Sequence, residues 1–260
     1  ALSALAPFRV SAQDSNLDEL AAAARAERRD VAAQRAYGHA LLQAGSYREA
    51  ERVFQQVARL ESNSLEALYD LARVSFEQND YRKSRAACRA LERESREAAL
   101  THVCRARAFL VWNRSGRAFE ELEAAVASDG ADFETQLALG DAHRLRAAVA
   151  EAEAAYSAAV ALDANRAEPH AGLGLLYAAA GRRADAERAL RRAIELDPYD
   201  PVVNLELAKL ATGPEVLRLL QRAVERRPHD PETLVALGNA QSAAGDAAAA
   251  KAAFERALEA

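Results

Sequence analysis

Residues 167–200 read AEPHAGLGLLYAAAGRRADAERALRRAIELDPYD. Ala167-Glu168-Pro169 opens a helix, because proline fits a first turn where its missing N–H has no partner to lose. Leu173, Gly174, Leu176 and Tyr177 follow at helical spacing. Ala180-Gly181-Arg182 makes a turn, with Gly181 placed to take a left-handed conformation. Ala186, Ala189, Leu190, Ala193 and Ile194 then form one face of a second helix, which Asp197-Pro198 stops. The stretch is therefore a helix pair of 34 residues.

The same pattern runs outward in both directions. In register with 167–200 stand 31–64, 65–98, 99–132 and 133–166. The eighth position is small throughout: Gly38, Ala72, Ala106, Gly140 and Gly174. The twentieth is Ala50, Ser84, Ala118, Ala152 and Ala186. The twenty-fourth is Phe54, Cys88, Leu122, Tyr156 and Leu190. Small residues are expected where the two helices cross, since longer ones would push the axes apart. Gly45 and Gly245 occupy the turn of Gly181, with Asn79 and Asn113 as the next-best left-handed residues. A sixth unit, 201–230, aligns only with four residues deleted around Thr212-Gly213-Pro214. A seventh is 231–260. Leu17, Leu20 and Ala24 mark a capping helix over 16–30, preceded by a leader or linker, 1–15, expected to be poorly structured. A period of this length predicts stacked units, each unable to bury its apolar face alone. The fold class is all-α, an α-solenoid.

Composition agrees: 50% hydrophobic and 28% charged with 6% aromatic is a folded, alanine-rich helical chain. The formal charge of −5 does not point to nucleic acid. It is unevenly spread. Ten Lys or Arg between Arg82 and Arg117 face only Glu92, Glu94 and Glu97, a net of +7 that leaves −12 elsewhere. Such a band steers acidic partners or is simply a solvated surface. No apolar run approaches the roughly 20 residues of a membrane span. Val10-Ser11-Ala12 before Gln13-Asp14 has the small-residue character of a secretory cleavage region, and a linker carries the same residues equally well.

Leu173-Gly174 with Tyr177, then Ala186, Leu190, Ala193 and Asp197-Pro198, resemble the tetratricopeptide repeat over about 230 residues. The departures are polar residues at the usually bulky fourth position (Gln34, His102, Gln136, His170, Asn204) and the short sixth unit. The resemblance implies a right-handed superhelix whose concave groove is lined by positions two, five, nine, twelve and thirteen. Carried over, those positions give Arg35, His39, Tyr69, Arg73, Phe76, Val103, Arg107, Leu110, Val111, Leu137, Arg144, Leu175 and Lys209 as a partner-binding groove. Leu42, Asp141, Leu145, Leu205, Val235 and Asn239 extend it. Aromatics and arginines of this kind anchor protein interfaces. Trp112 lies beside them, either in that patch or packed between units. The family's terminal-carboxylate clamp is absent, since Arg35 and Tyr69 are not followed by the required Asn.

Cys88 falls on a second helix and Cys104 on the next unit's first helix, facing back, so a disulfide between them is a candidate. Two Cys and nearby His102 fall short of a four-ligand zinc site. His39, His102, His143, His170 and His229 form no catalytic arrangement, and no phosphate loop or carboxylate pair is present. The expectation is a non-catalytic scaffold without cofactor or metal. It binds an acidic protein or peptide in a bacterial, extracytoplasmic assembly, and self-association through the uncapped last helix is a further expectation. The alternatives are a cytoplasmic location, or an arm of a larger enzyme or outer-membrane polysaccharide exporter.

Overall fold

The structure, a computed structural model, describes residues 12–78 and 80–260. Among them there are fifteen helices and no strand, an all-α helical repeat fold. After α1 (Ala12–Ala26) the helices alternate in pairs. The first members are α2 (Val31–Gln43), α4 (Leu65–Glu77), α6 (Ala99–Val111), α8 (Phe133–Leu145), α10 (Ala167–Ala179), α12 (Pro201–Leu210) and α14 (Pro231–Ala243). The second members are α3 (Tyr47–Leu60), α5 (Tyr81–Glu94), α7 (Ser115–Asp129), α9 (Val149–Leu162), α11 (Arg183–Leu196), α13 (Pro214–Arg226) and α15 (Ala247–Glu259). The chain divides into two compact units, one ending at Ser95 and one spanning Arg96–Ala260.

Several of the first helices begin on a side-chain cap. Asp30, Ser64, Asp132, Asp200 and Asp230 each accept a backbone N–H from two or three residues on. Such caps satisfy N–H groups that a helix start otherwise leaves orphaned. Ala98 before α6 and Arg166 before α10 lack that bond.

The small eighth residue has a more specific cause than the crossing of helices alone. A methyl group built on Gly38, Gly140, Gly174 or Gly238 would come within 2.6 Å of the side chain of Phe54, Tyr156, Leu190 or Phe254, respectively. In each pair the partner is the twenty-fourth residue of the same repeat, which packs on the bare backbone of the first helix. Phe54, Tyr156 and Leu190 are fully buried as a result.

Two features differ from the sequence expectation. The capping helix runs from Ala12 to Ala26, not over 16–30. It stops early because Glu27–Asp30 form a turn, Asp30 N–H donating to the Glu27 carbonyl, and Asp30 then caps α2. Residues 12–15 are helical, while 1–11 and Asn79 lie outside the described residues. At the turn between helices Gly45, Gly181, Gly245 and Asn113 have positive φ, and Ala147 does too, at +56°.

α12 has ten residues, and Gly213 (φ +66°) with Pro214 turns the chain directly into α13. First helices pack on one another from α6 through α8 and α10 to α12, and this packing thins between α12 and α14.

Candidate functional site

In the first unit, α2 and α4 meet over a buried carboxylate. Asp70 is 3% exposed; Arg35 Nε donates to it at 3.0 Å, and His39 Nε2 lies 3.5 Å away. A buried carboxylate keeps its charge only when paired in this way. His39 also stands edge-on to Phe54 at 5.2 Å. Tyr69 and Arg73 are buried and Phe76 half-buried. Tyr69 and Arg73 are therefore not open groove positions, because helix packing covers them. Leu42 packs in the cluster of Leu41, Phe54 and Val74.

In the second unit a charge network runs along the first helices. Arg107 Nη2 donates to Glu134 Oε2 at 3.4 Å, Arg166 Nη2 to Glu134 Oε1 at 3.1 Å, and Arg166 again to Glu168 at 2.8 Å. Arg166 also lies over the Phe133 ring, 4.3 Å from its centroid. Glu134 is the second residue of its repeat and almost fully buried. Further along α8, Tyr156 donates to Asp141 at 2.7 Å and Arg144 Nε donates to the Tyr156 oxygen at 3.2 Å. Burial chiefly, and the Asp141 charge, push the Tyr156 hydroxyl well above the usual phenol range. Lys209 Nζ bridges Glu206 at 2.6 Å and Glu232 at 2.9 Å.

These basic residues thus meet the chain's own carboxylates. Val103, Leu137 and Leu205 are buried in the stack, a correction to their expected role as lining, while Leu110 and Leu175 are half-buried. Of the expected lining, Val111, Leu145 (63% exposed), Val235, Asn239 and the ion-paired Lys209 stay open on the first helices. Trp112 is exposed and edge-on to Phe109.

The polar fourth residues share a task that sequence reasoning missed. Gln136 Nε2 donates to the Gly130 carbonyl at 2.7 Å, and Asn204 Nδ2 to that of Pro198 at 2.9 Å; His170 Nε2 lies 3.2 Å from the Ala164 carbonyl. Each reaches back six residues to the loop joining the repeats. Gln34 does the same for the end of α1, bonding the Ala24 carbonyl. His102 instead meets Glu121 at 2.7 Å. The recurrence of a polar residue at one register position was the available signal.

Cys88 and Cys104 are both in the disulfide form, and no described cysteine is free. Among the described residues no group of three or more His, Cys, Asp or Glu is arranged to hold a metal ion, and no helix is long and apolar enough to cross a membrane.

Tetratricopeptide-repeat models match residues 41–102, 167–210 and 231–260. No curated protein gives a significant match. Among solved structures, the APC/C hetero-tetramer Cut9–Hcn1 is similar at TM-score 0.62 and 16% identity, over 86% of this chain and 46% of that one. The chain thus spans less than half of that relative. The pilF protein of Pseudomonas aeruginosa is similar at TM-score 0.60 and 18% identity, over 73% of this chain and 88% of that one. A thermophilic repeat protein of Thermus thermophilus is similar at TM-score 0.55 and 20% identity, over 69% of this chain and 98% of that one. At these identities the likeness is one of fold. With the helix pairs and the packing of the twenty-fourth residue on the eighth, these matches show that the repeats of this chain are tetratricopeptide repeats.

Proposed function

We propose that this chain is a non-catalytic scaffold that holds a protein or peptide partner against the exposed side of its first helices. Tetratricopeptide repeats generally mediate protein–protein interaction, and proteins built from them are typically non-enzymatic. The observation that carries the proposal is a repeated one. Val111 and Leu145 occupy the thirteenth position of two consecutive repeats, on α6 and α8, and both stay exposed although those helices pack together. Apolar side chains left open at one register position suit contact with another chain. The charges beside them are already neutralised at home, so the surface offers a partner apolar contact within a polar frame.

The setting we propose is assembly of bacterial export or surface machinery outside the cytoplasm. The oxidised state of Cys88 and Cys104 favours an oxidising compartment. The test is partner capture by the wild type and by a Leu145→Asp, Val235→Asp variant with matched thermal stability. Loss of capture supports the proposal, and undiminished capture removes it.

A further inference from the structure

Part of the basic band falls on α5, the second helix of its repeat. Arg82, Arg89 and Arg93 are exposed on α5, and Arg48, Arg52 and Arg59 are exposed on α3. Both helices belong to the first unit. Lys83 of α5 reaches across to α3, donating to both Glu51 oxygens at 2.9 and 3.0 Å. None of these six arginines makes a hydrogen bond or ion pair with a described residue. The acids nearest in sequence on the exposed surface are Glu49 and Glu94, and Glu51 is already held by Lys83.

The second unit treats two of these positions differently. Arg191 on α11, in the register of Arg89, is held by Glu187 four residues back and by Glu215. Arg188, in the register of Arg52, is held by Asp185. Four residues before Arg89 stands Arg85, and four before Arg93 stands Arg89; Arg48 and Arg52 repeat the spacing. Like charges at this spacing repel and lower helix stability. On α3 and α5 of the first unit, these six guanidinium groups are therefore held by no anion among the described residues.

We propose that the outer face of α3 and α5 docks an acidic segment of a protein partner. This surface is separate from the first-helix surface proposed above. Guanidinium forks match carboxylates in pairs, and of the basic residues on α5 only Lys83, which already has its anion, is not an arginine. Arg82 to Arg93 spans about 16 Å of helix, enough for about five extended residues. Gln55 and Ala86 stand between the arginines, and Tyr81 at the start of α5 is the one exposed aromatic ring on either helix. A single ring is no platform for the successive bases of a single-stranded nucleic acid. The chain's net charge of −5 opposes long polyanions and anionic bilayers, while a short segment senses only the local field within a Debye length of about 8 Å.

The experiment measures binding of a fluorescein-labelled oligoglutamate peptide to the full chain by anisotropy at physiological salt. Arg82→Gln, Arg89→Gln and Arg93→Gln together should weaken it by about tenfold. Leu145→Asp should leave it unchanged. An Arg48→Gln, Arg52→Gln, Arg59→Gln variant gives an independent reading and decides the matter if the α5 variant loses helicity. Absent binding by the wild type, equal binding by the arginine variants, or stronger binding of single-stranded RNA or phosphatidylserine vesicles than of the peptide would each overturn the proposal.

Discussion

Gly172 on α10 lies against the ring of Tyr156 on α9 so closely that a methyl group on its Cα would fall 2.4 Å from Cε1 and Cζ. Gly140 on α8 meets the other part of the same ring, at 2.4 Å from Cδ1. Tyr156 therefore fills a slot between the first helices of two repeats, with its hydroxyl anchored at Asp141 and Arg144. Gly172→Ala should destabilise the protein by about 1–3 kcal/mol from overpacking, partly offset by about 1 kcal/mol of helix propensity. Combining it with Tyr156→Leu should cost less than the sum of the single variants. Additive urea-denaturation energies would show that the ring is not the obstacle.

Ala147 sits at a turn position where three sister repeats have glycine, and it takes φ +56°. A side chain in the left-handed region costs about 1 kcal/mol, and the residue is exposed with nothing else to lose. Ala147→Gly should therefore raise the melting temperature despite the greater freedom of glycine in the unfolded chain. Gly181→Ala should lower it. Both are read from thermal unfolding followed by circular dichroism.

Asp197 links α11 to α12, and its side chain is only 14% exposed. Burial pushes its carboxyl up to about 6, against the opposing bond from Tyr199 N–H and the Arg226 charge at 3.9 Å. An acid raised in the folded state stabilises the fold when protonated. The contribution is complete near pH 4 and is lost as pH rises to about 6, a change on the order of 2–3 kcal/mol. Asp197→Asn keeps an acceptor for Tyr199 and carries no charge. The variant should be at least as stable as the wild type at pH 7. The difference between the two should shift across pH 4–6, and a constant difference would contradict the assignment.

The oxidised cysteines give a direct chemical test. Unfolded, unreduced protein should show no thiol reactive to a colorimetric reagent, and reduction should lower the melting temperature. Two titratable thiols would place both cysteines in the reduced state.

The helix pairs were legible because the constraints are local and recur. A glycine or alanine at the eighth position answers a ring or leucine sixteen residues on, and a left-handed turn favours Gly45, Gly181 and Gly245. Ala147 escaped because its identity runs against the backbone it adopts. The partner surface was less legible for a different reason. Register assigns a residue to a face and says nothing of its depth, so Tyr69, Arg73, Val103 and Leu137 share positions with open residues and are buried. The ion pairs join residues far apart in sequence, Arg35 to Asp70, Arg107 and Arg166 to Glu134. Helical i,i+4 arithmetic cannot find them.

Those pairs decide which variants can test partner binding. Glu134 is 8% exposed and accepts from two guanidinium groups that would otherwise face each other. Glu134→Ala should cost about 2–4 kcal/mol, since it leaves two half-buried cations without their shared anion. Arg107→Glu would set a second carboxylate against Glu134 and should unfold the protein at lower urea as well. Any loss of partner binding on that change would therefore report stability as much as contact. Leu145→Asp alters an exposed side chain and should move the urea midpoint little. If Leu145→Asp abolishes partner binding at unchanged stability while Glu134→Gln, which keeps the shape, leaves binding intact in the folded fraction, the apolar positions make the contact and the charge network holds the helices beneath them. Binding lost with Glu134→Gln alone would reverse those roles.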